Sequence, residues 1–205
     1  MNGESKIPKN LWKGLAIALA LMLLIAALLT TFVALGVFDP RPLGPVTVTR
    51  SLERIGVDQD SEPILWLEEQ QPGEDYSIRL AARLAGGESD IGYGLVLGTS
   101  KEALILAVSP LGYLTFWKQT ERNGTTTEEL YIPWLTWPHI HGGTGQNEIW
   151  LDVQQGQVTS IRVNQELLKF KSVPAPDEGI GLWSETFGSP AEISFDTLEI
   201  FSGSQ

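Results

Sequence analysis

Glu148, Trp150 and Asp152 alternate along Glu148-Ile149-Trp150-Leu151-Asp152-Val153, so an extended chain puts two carboxylates and an indole on one face. Glycoside hydrolysis needs two carboxylates held across the scissile bond. Stacking against a flat hydroxylated ring needs an aromatic face with polar groups beside it. Trp150 is the main candidate for that second role, and Trp117, Trp134 and Trp137 are candidates to line a shared groove, with Trp183 beside them. The competing use of a large aromatic is to fill a core, which suits Trp183 and Trp66. His139 and His141, the only two histidines, share a face if Trp137-Pro138-His139-Ile140-His141-Gly142-Gly143 is extended, and could chelate a metal. A catalytic zinc site needs about three protein ligands with oriented partners behind them, and no third ligand is evident. The chain has no cysteine, so disulfides and thiolate metal sites are excluded. No catalytic residue is assigned from these patterns.

Strands must position these residues. Runs of strand-like sequence alternate with turn clusters, which predicts an all-β sandwich or barrel. In Tyr76 to Leu84, Tyr76, Ile78, Leu80, Ala82 and Leu84 share one face, with Arg79 and Arg83 on the other. Gly92 to Leu97 and Ala103 to Val108 are uniformly apolar, as central strands are. Ser109 to Gly112 is a turn leading into Tyr113 to Lys118. Glu148 to Val153 and Val158 to Val163 form a hairpin through Gln155-Gly156, and Asn164-Gln165 makes the next turn. Ile180 to Trp183 and Glu192 to Phe201 close the domain. The last strand slips phase: Ile193 and Phe195 alternate, then Leu198 and Ile200 take over, which predicts a bulge at Asp196-Thr197. Asn123-Gly124-Thr125 has the pattern of a glycosylation sequon and marks a loop. No helix is expected after Phe38.

Before that helix-free region lies an uncharged apolar run from Gly14 to Phe38. At the helical rise of about 1.5 Å per residue it exceeds a hydrocarbon core of about 30 Å. Lys6, Lys9 and Lys13 precede it, against one acid, Glu4, and Trp12 suits the headgroup edge. This bias predicts a cytoplasmic tail over 1–13, a transmembrane helix over 14–38, and export of everything beyond. The competing reading is a cleaved signal peptide ending near Ala34-Leu35-Gly36, although a signal core is usually about 7–15 residues. Ala26, Thr30 and Ala34 recur at helical spacing, which would let two such helices pack closely. A stiff Pro-rich linker over 39–45, a sandwich domain over 46–201 and a tail over 202–205 complete the expected organisation. Taking the tail's three lysines and one glutamate from the chain's 14 basic and 25 acidic residues leaves a net charge of −13 for residues 39–205. Such a surface repels phosphates, so nucleic-acid binding is not expected.

The order of Gly92-Tyr93-Gly94-Leu95-Val96, Ser109-Pro110-Leu111-Gly112-Tyr113, Pro133-Trp134, Gly145-Gln146-Asn147, Arg162-Val163-Asn164-Gln165, Gly179-Ile180-Gly181-Leu182-Trp183 and Phe195-Asp196-Thr197-Leu198 resembles the concanavalin A-like (laminin G-like) jelly-roll domains of exported bacterial proteins. It looks closest to the branch that includes the 3-keto-disaccharide hydrolase-like group and membrane-tethered modules of similar sequence. The resemblance covers roughly residues 46–201. It implies a two-sheet antiparallel jelly-roll sandwich, here behind one N-terminal transmembrane helix. Gln165 departs from the family's Asn-Gly turn, so the turn must strain or take another form. The hydrolases of this fold that carry Glu-x-Asp-x-x-Glu on one strand are not matched by Glu148 to Asp152, where the spacing differs and no second Glu follows. In related sandwiches an acid on the closing strand helps hold a structural calcium ion, which makes Asp196 the candidate metal residue; the alternative is an Asp bonded to its own bulge. The expectation is a membrane-anchored, non-catalytic module that meets a glycan, another envelope component or a protein ligand, with a saccharide hydrolase of the same fold, or a structural or sensory accessory to a membrane protein partner, as the alternatives.

Overall fold

The computed structural model describes residues 9–37 and 39–203. Residues 1–8 of the expected tail, with Lys6 and Glu4, then Phe38 and residues 204–205, lie outside the described residues. Two compact units divide the chain, Met1–Arg41 and Pro42–Gln205.

Among the described residues the first unit holds one helix, α1 (Lys9–Ala34), in which Leu11–Ala34 has a mean hydropathy of 2.7 and is long and apolar enough to cross a membrane. Its two hydroxyls do not break the apolar surface. Thr30 and Thr31 donate to the carbonyls of Ala26 and Ala27, each at 2.8 Å. Gly36, at φ 66°, ends the helix, and the Val37 N–H donates back to Phe32 O at 3.1 Å.

The second unit is a sandwich of two antiparallel sheets. Its strands are β1 (Val46–Ser51), β2 (Arg54–Val57), β3 (Ile64–Gln70), β4 (Tyr76–Gly87), β5 (Ile91–Gly98), β6 (Glu102–Ser109), β7 (Tyr113–Arg122), β8 (Thr125–Thr136), β9 (Asn147–Gln154), β10 (Gln157–Val163), β11 (Glu166–Leu168), β12 (Val173–Pro174), β13 (Gly179–Thr186) and β14 (Ala191–Ser202). One sheet runs β1-β14-β4-β9-β10-β11, with β2 also on β14 and β12 also on β10. The other runs β3-β13-β5-β6-β7-β8. This is the predicted two-layer arrangement, with the alternation of β4 realised residue by residue. Tyr76, Ile78, Leu80, Ala82 and Leu84 are buried between the sheets against Leu95, Leu97, Leu104, Leu106 and Phe116. Truncating one such leucine to alanine costs about 2–5 kcal/mol.

The predicted break in the last strand is present and has a cause. The pairing of β14 with β4 shifts between Phe195 and Thr197. At the same place the neighbour on its other side changes from β1, which pairs with Thr197 to Phe201, to β2, which pairs with Ala191 to Ser194. The chain crosses between them at Leu52 and Glu53, whose N–H and C=O bond Asp196 O and Phe195 N. Both halves of β14 keep their apolar side chains in the core.

Three two-residue hairpin loops have positive φ at both positions: Asn123-Gly124, Gln155-Gly156 and Asn164-Gln165. Their backbone twist matches that of the flanking strands. Gln165 therefore strains rather than taking another turn, at φ 70°. Its partner Asn164 is anchored, with Oδ1 accepting from Glu148 N and Nδ2 donating to Asn147 Oδ1, each at 2.8 Å.

Candidate functional site

Strand alternation puts Trp150 on the outer face of the β4–β9 sheet, as expected, yet only 2% of it is exposed. Cross-strand register explains the difference. Arg162 on β10 and Arg79 on β4 both stand opposite Trp150, and Glu199 on β14 stands opposite Arg79. Both guanidiniums lie over the indole, at 5.2 and 5.6 Å from its centre. Phe201 stacks alongside at 6.5 Å, and Arg79 covers it as well. Asp152, itself buried, accepts from Trp150 Nε1 at 2.7 Å, from Ser77 Oγ at 2.6 Å and from Arg162. Glu199 pairs with Arg79, and Glu148 lies 3.6 Å from it. Burial raises the Glu148 carboxyl above its ordinary value, and Arg79 only partly offsets this. Asp152 is thus bonded within the sheet, Glu148 is partly buried beside Arg79 with its Oε1 unpartnered, and Trp150 has no face left for a ligand.

The other candidates disperse. Asp196 stands at the bulge, accepting from Ser194 Oγ at 2.6 Å and facing Arg83 at 3.6 Å. No group of three or more His, Asp or Glu side chains able to hold a metal occurs among the described residues. With a cation beside it, Asp196 does not fit the oxygen cage that calcium requires. His141 Nδ1 meets Gln146 O at 2.6 Å, while His139 Nδ1 lies 4.0 Å from Glu166. Their loop is pinned by the buried Asn147, which accepts from His141 N and donates to His141 O and to Tyr93 Oη. Burial pushes the Tyr93 phenol up to about 12. Trp137 packs on the main core at the start of this loop.

The outer face of the second sheet is different in kind. One register row across it reads Trp66, Gly181, Val96, Ile105, Trp117, Leu130, and the next reads Ile64, Trp183, Gly94, Ala107, Thr115. Glycines and alanines leave hollows that the indoles fill, giving a second apolar cluster of Val96, Ala103, Ile105, Ala107, Trp117 and Trp183, with Ile64 and Trp66 packed on it. Trp117 and Trp183 meet edge to face at 5.1 Å, and at 7% and 3% exposed neither offers an open platform. The expected groove of Trp117, Trp134, Trp137 and Trp150 is therefore not assembled.

The sheet curls over this face. In a flat sheet β8 would lie about 14 Å from β5. Yet a Cβ at Gly92 on β5 would stand 3.2 Å from Trp134 Cη2 of β8 and 2.6 Å from Trp183 Cζ3. Pairing shifts near Phe116 in the β7–β8 hairpin supply the bend. Glu185 on β13 is raised by burial and also by Glu128 on β8, consistent with the same closure.

Where the cluster reaches the sheet's end, aromatics are open. A pocket of about 360 Å³ is lined by Asp90, Ser109, Leu111, Tyr113, Trp134 and Phe187. Trp134 and Phe187 are 41% and 49% exposed and stand perpendicular, with ring centres 6.1 Å apart. Gly92, by lacking a side chain, lets Trp134 lie against the β5 backbone. Phe187 is fixed by its N–H to Asp90 O at 3.0 Å. The Asp90 carboxylate makes no ion pair or hydrogen bond among the described residues. Of the four tryptophans proposed from sequence, only Trp134 lines this pocket. Phe187, Tyr113 and Asp90 were missed, because they lie on three separate strand ends that only the fold brings together.

No family model matches the sequence, and no curated protein matches it. Among solved structures, the carbohydrate-binding module CBM66 from Bacillus subtilis is 14% identical, with a TM-score of 0.52 over 78% of this chain and 99% of that one. A Bacteroides ovatus GH43B protein of a xyloglucan locus is 12% identical, with a TM-score of 0.50 over 73% of this chain and 32% of that one. Sheep galectin-11 is 12% identical, at 0.46 over 69% and 98%. At 14% identity the likeness to the carbohydrate-binding module shows the fold alone, a concanavalin A-like jelly-roll sandwich.

Proposed function

We propose that this protein is a membrane-anchored, non-catalytic module that binds a glycan through the aromatic pocket at the end of β5, β8 and β13. The observation that carries the proposal is the open, perpendicular Trp134–Phe187 pair beside a free carboxylate and the Ser109 hydroxyl. Sugars present apolar C–H faces to such rings and hydroxyl donors to such acceptors. The shared fold of a carbohydrate-binding module supports the proposal without fixing a ligand. Against a hydrolase stands the engagement of Asp152 by Arg162, Ser77 and Trp150, which leaves Glu148 without a free second carboxylate beside it. α1 serves as a signal-anchor, with residues 1–13 cytoplasmic and the sandwich over 46–201 extracytoplasmic, in the manner of the tethered bacterial modules near the 3-keto-disaccharide hydrolase-like group.

The test uses the full chain in polyoxyethylene-detergent micelles, whose headgroup is not a saccharide. It is titrated with neutral oligosaccharides of glucan, xylan, mannan and levan. Trp134→Ala weakens the binding about tenfold or more with little change in thermal stability, as loss of an exposed stacking ring should. Binding indifferent to Trp134→Ala, or no binding at all, sinks the proposal. Added protease cleaves the sandwich in cells whose inner membrane is intact but outer barrier opened; protection there sinks the orientation.

A further inference from the structure

The pocket's shape and charge select more narrowly than a neutral sugar would require. Trp134 and Phe187 meet at 86°, forming two walls of a box, and Tyr113, 41% exposed, lines the same pocket. Faces set at right angles suit a compact group approached from several sides, whereas a sugar ring alone needs one face. Asp90 is the only ionisable acid in the lining, and no Lys, Arg or His is among the lining residues. A second carboxylate stands close by. A Cβ at Gly188, next to Phe187, would lie 3.5 Å from Asp90 Oδ2 and 4.0 Å from Glu88 Oε2. Neither Asp90 nor Glu88 makes an ion pair among the described residues. Aromatic faces attract a cation through their ring quadrupole, and uncompensated carboxylates nearby add to that field. The excess of acids over residues 39–205 acts in the same direction.

We infer that the pocket recognises an organic ammonium group, carried by the protonated amine of an amino sugar. This rests on the glycan-binding proposal for its saccharide part and on the aromatic–carboxylate box for its cationic part. Anionic sugars are rejected by the same charges.

The full chain in polyoxyethylene-detergent micelles, at pH 6 and low salt, is titrated with four probes. These are a glucosamine tetramer, its fully N-acetylated counterpart, cellotetraose and choline. The two glucosamine probes differ only in whether the amine is acylated, so their ratio reads the charge. The amine form binds about tenfold tighter than either neutral tetramer. Asp90→Asn brings that ratio close to one, and raising the salt narrows it. Phe187→Leu, which keeps bulk but removes a π face, serves as a second variant and also narrows it. Equal affinity for the amine and neutral tetramers overturns the ammonium inference and leaves glycan binding standing. Choline binding with all three tetramers silent overturns the glycan source and keeps the ammonium chemistry. Silence of all four probes overturns both.

Discussion

Replacing Trp150 separates the two tryptophan faces of the sandwich. Trp150→Ala removes a side chain that is 98% buried, which alone costs about 3–5 kcal/mol. It also removes the ring under two guanidiniums, at about 0.5–2 kcal/mol each, and one of the three donors to Asp152, at about 1 kcal/mol. These losses share atoms and do not add in full, so a total of about 4–6 kcal/mol is expected. That is a large part of the roughly 5–15 kcal/mol that holds a domain folded. Trp150→Phe keeps a ring for the arginines and loses the Nε1 donor, so it costs less, about 1–3 kcal/mol. The assay is urea unfolding of the micelle-borne protein, followed by near-ultraviolet circular dichroism, beside saccharide titration of whatever remains folded. Trp150→Phe leaves saccharide affinity unchanged. If Trp150→Ala loses less than about 1.5 kcal/mol and yet abolishes saccharide binding, Trp150 contacts the ligand and the sealed-ladder account is wrong.

Gln165→Gly removes a left-handed strain of about 1–2 kcal/mol and gains unfolded-chain entropy of about 0.5–1 kcal/mol, so a net gain of up to about 1 kcal/mol is expected in urea unfolding. A net loss of stability shows that the turn is not strained. Calcium or a chelator leaves the thermal midpoint unmoved, since Arg83 already faces Asp196; a rise with calcium that Asp196→Asn abolishes refutes this. The pH dependence carries two opposite signs. Glu69 is lowered chiefly by its hydrogen bond from Arg50, so its contribution is present above the ordinary glutamate value and fades as pH falls through its folded value. Glu148 is raised, so its folded form holds a proton that the unfolded chain has released, and stability falls as pH rises between the ordinary and folded values. Glu148→Gln removes that fall; an unchanged stability-versus-pH curve contradicts the burial of its carboxyl.

Period-two alternation made β4, β9 and β14 legible, because each turns one apolar set to the core and any slip would turn that set outward. It also placed the bulge at Asp196, where two alternating sets meet out of phase. Alternation says which face a residue takes and nothing about what stands on the neighbouring strands. Trp150 was therefore placed on the correct face and still misjudged, since Arg79 and Arg162 come from positions 71 residues before it and 12 after it in the chain. β8 was not foreseen: its first half, Thr125 to Glu129, is polar on both faces, as an exposed edge strand is. β1, β2 and β3 were too short or too mixed to stand out, being laid on edges beside β14 and β13.

On the outer face of the β4–β9 sheet the acids stand beside arginines: Asp152 bonds Arg162, Glu199 bonds Arg79, and Glu148 lies 3.6 Å from Arg79. A carboxylate bonded to a guanidinium, as those of Asp152 and Glu199 are, has that acceptor capacity already engaged within the sheet. Asp90 has no such partner among the described residues, and it is the acid beside the exposed aromatics. A free carboxylate in water has little to gain from structure, so its place beside Trp134 and Phe187 is unremarkable for folding. It becomes consequential only when a donor arrives that the rings also attract. The same contrast accounts for the tryptophans. Arginines close one face, and glycines and alanines let indoles sink into the other; at the ends of β5, β8 and β13 neither device reaches, and Trp134, Phe187 and Asp90 line one pocket.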